Sequence, residues 1–232
     1  MDKGKLLNFI SKYSLNGLCN TVKWTSKSRG LMTNFISEDK STLGMVAVKG
    51  INFPEGKFGI YNTKALQRII GALQQTEITI DVSANSLELK DDVVSAKFML
   101  GNLDIIADPP QTQDLPDPDF EFEINSIFID RFLKSKAALE DANNFAFLNI
   151  DGKINISINY AEHATDRINI PIEAEFDLDT PLVFNAEIFK EVLTANKDAT
   201  SGSIKVSAQG IMQCHFQLED IAAKYYLVML ES

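Results

Sequence analysis

Residues 58–73, FGIYNTKALQRIIGAL, and residues 182–196, LVFNAEIFKEVLTAN, run through the same succession of elements 123 positions apart. In both, an apolar strand meets an aromatic-Asn pair (Tyr61-Asn62, Phe184-Asn185), and an amphipathic helix follows. Each asparagine is a natural N-cap, because its side-chain oxygen can accept from the first free N–H groups of a helix. At the same offset Leu66 matches Phe189, Ile69 matches Val192 and Ile70 matches Leu193. The stretches LLNFISKYS (6–14) and IDRFLKSKA (129–137) also correspond, pairing Phe9 with Phe132 and Ile10 with Leu133. A period this long is a duplicated domain; solenoid repeats recur every 20–50 residues or so.

Alternating strands fill the rest of each half. EITIDVSANSLELKDDVVSAKFML echoes SIKVSAQGIMQCHFQLEDIAAKYYLVML, each broken at Ala-Asn or Gln-Gly turns as a meander requires. Asp151-Gly152 is a strong two-residue hairpin signal between FAFLNI and KINISINY. The expected fold is α+β, with two similar domains, each holding two helices on antiparallel sheets of roughly eight strands. The expected boundaries are 1–107 and 120–232, joined by a connector at 108–119. That connector, within ADPPQTQDLPDPDFE, holds four prolines and four aspartates, so it reads as extended and solvated. Its carboxylates lack the glycine turn and terminal Glu of a calcium loop.

Charge is distributed unevenly. The chain has net charge −10. Yet the four helices, taken as 3–14, 63–75, 126–138 and 186–197, hold ten basic residues against three acids. They therefore stand at +7, and the other 182 residues at −17. Lysine suits surface helices, but so does glutamate, and this chain has more acids than bases. The segregation points to a helical surface that faces a polyanion, over a range of about 8 Å at physiological salt. Its expected cations are Lys5, Lys12, Lys64, Arg68, Arg131, Lys134, Lys136, Lys190 and Lys197. Glu187 and Glu191 weaken the fourth helix. The basic turn SKSRG (26–30) reads as a solvated hairpin tip or as a further contact to the polyanion, with the first reading slightly favoured.

With this order of elements over essentially the whole chain, the sequence resembles the DNA sliding clamps of T-even-type phages. GIYNTKALQRII, DRFLKSKAALEDANNFAFLNIDGKINISINY and the terminal KYYLVMLES carry the likeness, and the repeat carries more of it than any one motif. The resemblance implies the DNA clamp fold, assembled as a ring of three subunits with helices lining the hole and sheets outside. It implies a processivity factor in DNA replication that encircles duplex DNA without sequence preference. The partners it implies are the replicative DNA polymerase, an ATP-dependent clamp loader, late-transcription factors and further copies of the chain. It places the protein in the cytoplasm of a phage-infected host. It further implies head-to-tail pairing of edge strands, for which the strand near 98–106 and RINIPIEAEF (167–176) are the candidates. A partner pocket near the connector would draw on Leu115, Pro116 and Met229.

Other classes fit less well. An enzyme is not expected, and neither is a cofactor or metal. The two histidines are His163 and His215, and adjacent strand residues such as Cys214 and His215 point to opposite faces. No nucleophile elbow, phosphate-binding glycine loop or zinc-protease helix occurs. Cys19 and Cys214, each expected within a strand, read as reduced packed thiols. Neither a membrane span nor a signal peptide is expected. The remaining rival is an acidic interaction scaffold or DNA mimic, which would need carboxylates on the exposed helix faces.

Overall fold

Asparagines start three of the four helices. In the computed structural model, which describes residues 1–110, 118–161, 166–174 and 176–230, the chain divides into two compact units. The first comprises Met1–Gln111 with Glu219–Ala223, the second Thr112–Leu218 with Lys224–Ser232.

The first unit runs α1 (Lys3–Ser14), β1 (Val22–Lys27), β2 (Gly30–Ile36), β3 (Thr42–Lys49), β4 (Gly56–Ile60), α2 (Thr63–Ala72), β5 (Thr79–Val82), β6 (Ser86–Lys90) and β7 (Ser95–Met99). The second runs β8 (Phe120–Ile124), α3 (Ser126–Ala138), β9 (Asn144–Ile150), β10 (Lys153–Ile158), β11 (Ile168–Pro171), β12 (Leu182–Asn185), α4 (Ala186–Ala195), β13 (Ser201–Ser207), β14 (Ile211–Gln217) and β15 (Ile221–Val228). The duplication survives in detail. α2 and α4 begin and end 123 residues apart, and the strand order β4-β1-β2-β3 returns as β12-β9-β10-β11. The meander β5-β6-β7 returns as β13-β14-β15, with β8 added beside β13. In the first unit Asp2, bridged to Glu77, takes the place of β8.

Capping explains where the helices start. The Asn62 side chain accepts from the Ala65 N–H, Asn125 from Phe128, and Asn185 from both Glu187 and Ile188. Asp2 does the same for α1 through the Lys5 N–H. The ends differ from the sequence expectation. α2 stops at Ala72, short of residue 75, because Leu73 turns extended and the Asp91 carboxylate accepts the Gln74 and Gln75 N–H groups. α4 stops at Ala195, where Asn196 donates back to the Val192 carbonyl.

In each unit the two helices pack on a core of aromatic rings. Phe9, Tyr13, Trp24, Phe53 and Phe58 meet edge to face in the first, with centroids 5.2–6.4 Å apart along the chain of rings. In the second, Phe132 meets Phe189 at 4.7 Å and Phe145 at 5.5 Å, while Phe145 stacks on Phe184. The Asp151-Gly152 turn closes β9 on β10 with both residues at positive φ, 51° and 76°. Gly59 of β4 lies so close to Gly101 that an added Cβ would fall 2.4 Å from the Gly101 carbonyl oxygen.

Three further expectations need correcting. Residues 219–223 pack with the first unit although the chain boundary put them in the second domain, and the Lys49 N–H donates to the Asp220 carbonyl at 2.9 Å. The strand expected near 98–106 is β7, which ends at Met99; Leu103–Ile105 is a 3-10 turn. Cys19 lies in the loop before β1, since α1 ends in a left-handed turn at Leu15 that delays the strand. Cys214 does lie in a strand, β14, and both thiols are free and buried.

Candidate nucleic-acid interface

α2 buries Leu66 and Ile70 completely, and this turns Lys64 and Arg68 outward, one helical turn apart. Among the described residues neither cation enters an ion pair, and the Lys64 stem lies across Gly17. α1 contributes less than its sequence suggests. Lys5 is bound to Asp220 at 2.6 Å, with only 20% of its side chain exposed. Lys12 is fully buried, a correction to its expected place on the outward face. It is the i+3 neighbour of Phe9, so its stem falls on the buried flank of the helix.

In the second unit Arg131 and Lys134 stand exposed on α3, opposite buried Phe132, and Lys197 stands exposed just beyond α4. Lys136 is the second correction, because its side chain is only 4% exposed. It bonds the Glu187 carboxylate at 2.5 Å and donates to the Glu140 carbonyl at 2.8 Å, closing the end of α3 against α4. Lys190 is half-exposed but held by Glu187 at 2.9 Å and Glu191 at 3.6 Å. Hydrogen bonds from Lys136 and then Lys190 hold the Glu187 carboxyl below its ordinary range. The bond to Glu187 in turn raises Lys190 above the usual lysine value. Of the cations expected on the helices, Lys64, Arg68, Arg131, Lys134 and Lys197 are thus exposed and make no ion pair among the described residues.

Both strands expected to pair lie at sheet edges. β7 is the last strand of β5-β6-β7, and β11 is the last of its four-stranded sheet. Beside β7, Met99 and Ile105 are 49% and 79% exposed. Beside β11 an open groove of about 1080 Å³ is lined by Glu121, Glu123, Ile127, Arg131, Ile172 and Glu173.

The expected partner residues Leu115 and Pro116 lie outside the described residues. Met229 is half-buried and packs on Gly210, its N–H donating to the Gly210 carbonyl at 2.8 Å. Sequence reasoning missed a second apolar surface. On the outward face of β2 and β3 the register sets Met32 opposite Ala47, Asn34 opposite Met45 and Ile36 opposite Leu43. These side chains are exposed or half-buried, and Lys23 of the same face binds Asp108 at 2.9 Å. The signal was legible: GLMTNFI and TLGMVAVK are apolar in both phases of the strand alternation. Of the 26–30 turn, residues 27–29 form an exposed hairpin tip, with Ser28 and Arg29 at positive φ, while Ser26 is buried.

Nucleophile chemistry finds little here. Cys214 is buried while His215 is exposed, as strand alternation demands, and burial pushes the Cys19 thiol up to about 12. His163 lies outside the described residues. Among the described residues, no group of three His, Cys, Asp or Glu is placed to hold a metal ion. Among the described residues, no helix is long and apolar enough to cross a membrane.

No protein-family model matches the sequence, and no curated protein matches it either. Solved structures do match the fold. A chain of the structure of A. fulgidus PCNA with the C-terminal region of FEN-1 bound aligns with a TM-score of 0.78 at 16% identity, covering 100% of this chain and 98% of the other. PCNA from Entamoeba histolytica aligns at 0.75 and 13% identity, covering 99% and 96%. A chain of the PCNA2–PCNA3 complex from Sulfolobus tokodaii aligns at 0.73 and 16%, covering 99% and 97%. The chain therefore has the α+β clamp fold of PCNA, along its whole length.

Proposed function

We propose that the chain is a DNA sliding clamp of the T-even phage type, a processivity factor that acts without catalysis. One observation carries this reading above the others: in a chain of net charge −10, the helix pairs of both repeated units present unpaired outward cations. Three copies would close head to tail, the β7 edge of one on the β11 edge of the next, into a ring around duplex DNA. The acidic remainder repels the duplex, and the helices attract it through few, exchangeable phosphate contacts. Such a ring holds the replicative polymerase on its template by topology more than by affinity. Because the ring must be opened to admit DNA, an ATP-dependent loader supplies the energy; late-transcription factors would share the docking surface with the polymerase. That surface is the outward apolar face of β2 and β3, whose neighbour Lys23 holds Asp108 at the start of the connector. The setting is the cytoplasm of the infected host.

Light scattering across a dilution series tests the assembly. A mass near three times 25.8 kDa supports the ring, and a strict monomer at high concentration removes the mechanism. Loaded protein should then stay on circular DNA and run off linear DNA of the same length. The acidic-scaffold reading rests on the −17 charge outside the helices and predicts no difference between the two DNAs.

A further inference from the structure

The repeat aligns Lys64 with Glu187 and Arg68 with Glu191, so the two outward cations of α2 are both replaced by carboxylates on α4. The cations of the second unit have moved to the neighbouring helix. Arg131 and Lys134 of α3 stand where α1 has the uncharged Asn8 and Ser11. Lys190, the one lysine within α4, lies between the two carboxylates, and Lys136 reaches Glu187 from the other side. We infer that the polyanion-binding helix changes between the two units. α2 serves in the first and α3 in the second, and Glu187 with Glu191 withdraws Lys190 from phosphate contact.

This rests on the sliding-clamp reading and refines it. A lysine held at 2.9 Å by one carboxylate and 3.6 Å by another has no charge to spare for a phosphate. Exchanging partners would leave Glu187 facing a polyanion, a repulsive arrangement. Its near neutrality gives α4 a low-friction surface, while Lys64, Arg68, Arg131 and Lys134 carry the contact.

The test is association of the full chain with a short fluorescent duplex, followed by anisotropy across a salt series. Each phosphate contact adds nearly one unit to the slope of log affinity against log salt. Lys64→Met and Arg131→Met should each flatten that slope by about one unit, and Lys190→Met should leave it unchanged. Glu187→Gln should steepen it by about one unit, so that its advantage over the wild type grows about threefold for each fourfold drop in salt. The gain should vanish in the Glu187→Gln/Lys190→Met double variant. Should Glu187→Gln fold poorly, Glu191→Gln with and without Lys190→Met asks the same question without disturbing Lys136. A Lys190→Met variant as impaired as Lys64→Met overturns this inference alone. If the wild type shows no salt-dependent association, or Lys64→Met and Arg131→Met are both silent, the clamp reading falls with it.

Discussion

Tyr13 and Lys136 occupy the same position of the repeat, 123 residues apart, and each is the buried polar link between the two helices of its unit. The Tyr13 hydroxyl lies 3.3 Å from the Thr63 hydroxyl at the start of α2 and accepts from Trp24 Nε1 at 3.2 Å. Lys136 reaches instead to Glu187 at the start of α4, at 2.5 Å. Duplication preserved the join while its chemistry diverged, neutral in one unit and ionic in the other.

The neutral join predicts the cost of Tyr13→Phe. The ring still packs against Phe9 and Trp24, but the buried indole N–H of Trp24 loses its acceptor. A buried donor left without a partner costs about 1–3 kcal/mol. Urea unfolding should show that loss at any pH between 5 and 9, roughly, since no group at this join titrates there. A variant as stable as the wild type would mean that water or another acceptor replaces the hydroxyl.

The ionic join predicts a pH dependence. Hydrogen bonding to Lys136 and Lys190 lowers the Glu187 carboxyl below its unfolded value. A depressed carboxylate contributes stability that is complete above the unfolded glutamate value of about 4.3, and loses it as the pH falls through the folded value. Lys136→Met keeps the buried stem and removes the charge. Because Glu187 is 45% exposed, the loss at neutral pH should be modest, about 1 kcal/mol. At a pH below the lowered folded value of the Glu187 carboxyl, wild type and variant should converge as it protonates in both. Urea midpoints that differ equally at both pH values would assign the effect to packing.

Gly59→Ala tests the closest backbone approach in the first unit. The new Cβ would meet the Gly101 carbonyl oxygen at 2.4 Å and Ile106 Cδ1 at 2.9 Å. Main chain cannot rotate aside as a side-chain end can, so β4 must part from residue 101 and its hydrogen bond to the Gly101 N–H. Overpacking of this kind costs about 1–3 kcal/mol. Gly71→Ala is the control: nothing lies within 4 Å of its Cβ, and it should gain close to 1 kcal/mol in helix propensity. Equal midpoints for the two variants would show that residues 59 and 101 separate freely.

Much of this architecture was legible because it is written twice. The aromatic-Asn signal located α2 and α4 because capping is local: Asn62 and Asn185 bond N–H groups within three residues of themselves. The end of α2 was not, because Asp91, far along the chain, takes the N–H groups that further turns would have used. The same distinction sorts the candidate cations. Lys64 and Arg68 face outward as periodicity requires, whereas the fates of Lys5, Lys136 and Lys190 depend on Asp220, Glu187 and Glu191. Of these pairs only those of Lys190 with Glu187 and Glu191 lie within one helix. A count of charges by helix sees the cations and overlooks the carboxylates that other segments bring to them.

Ile105→Asp tests the proposed head-to-tail join at an exposed apolar side chain beside β7. At 79% exposure in the single chain, Ile105 contributes little to the fold, and an aspartate there should change stability by no more than about 0.5 kcal/mol. The consequence for assembly is different. A second copy seated on the β7 edge would cover this position, and the groove beside β11 presents Glu121, Glu123 and Glu173 against the single arginine Arg131. Burying a further carboxylate where acids already outnumber the arginine costs about 1 kcal/mol or more at each join of the proposed ring. The variant should therefore keep its unfolding midpoint under conditions where the wild type is monomeric, and run as a monomer at concentrations where the wild type is a trimer. Sedimentation velocity across a tenfold dilution reads both species directly. An Ile105→Asp trimer as tight as the wild type would move the join away from this edge, and β5, at the other end of the same sheet, would be the next to test.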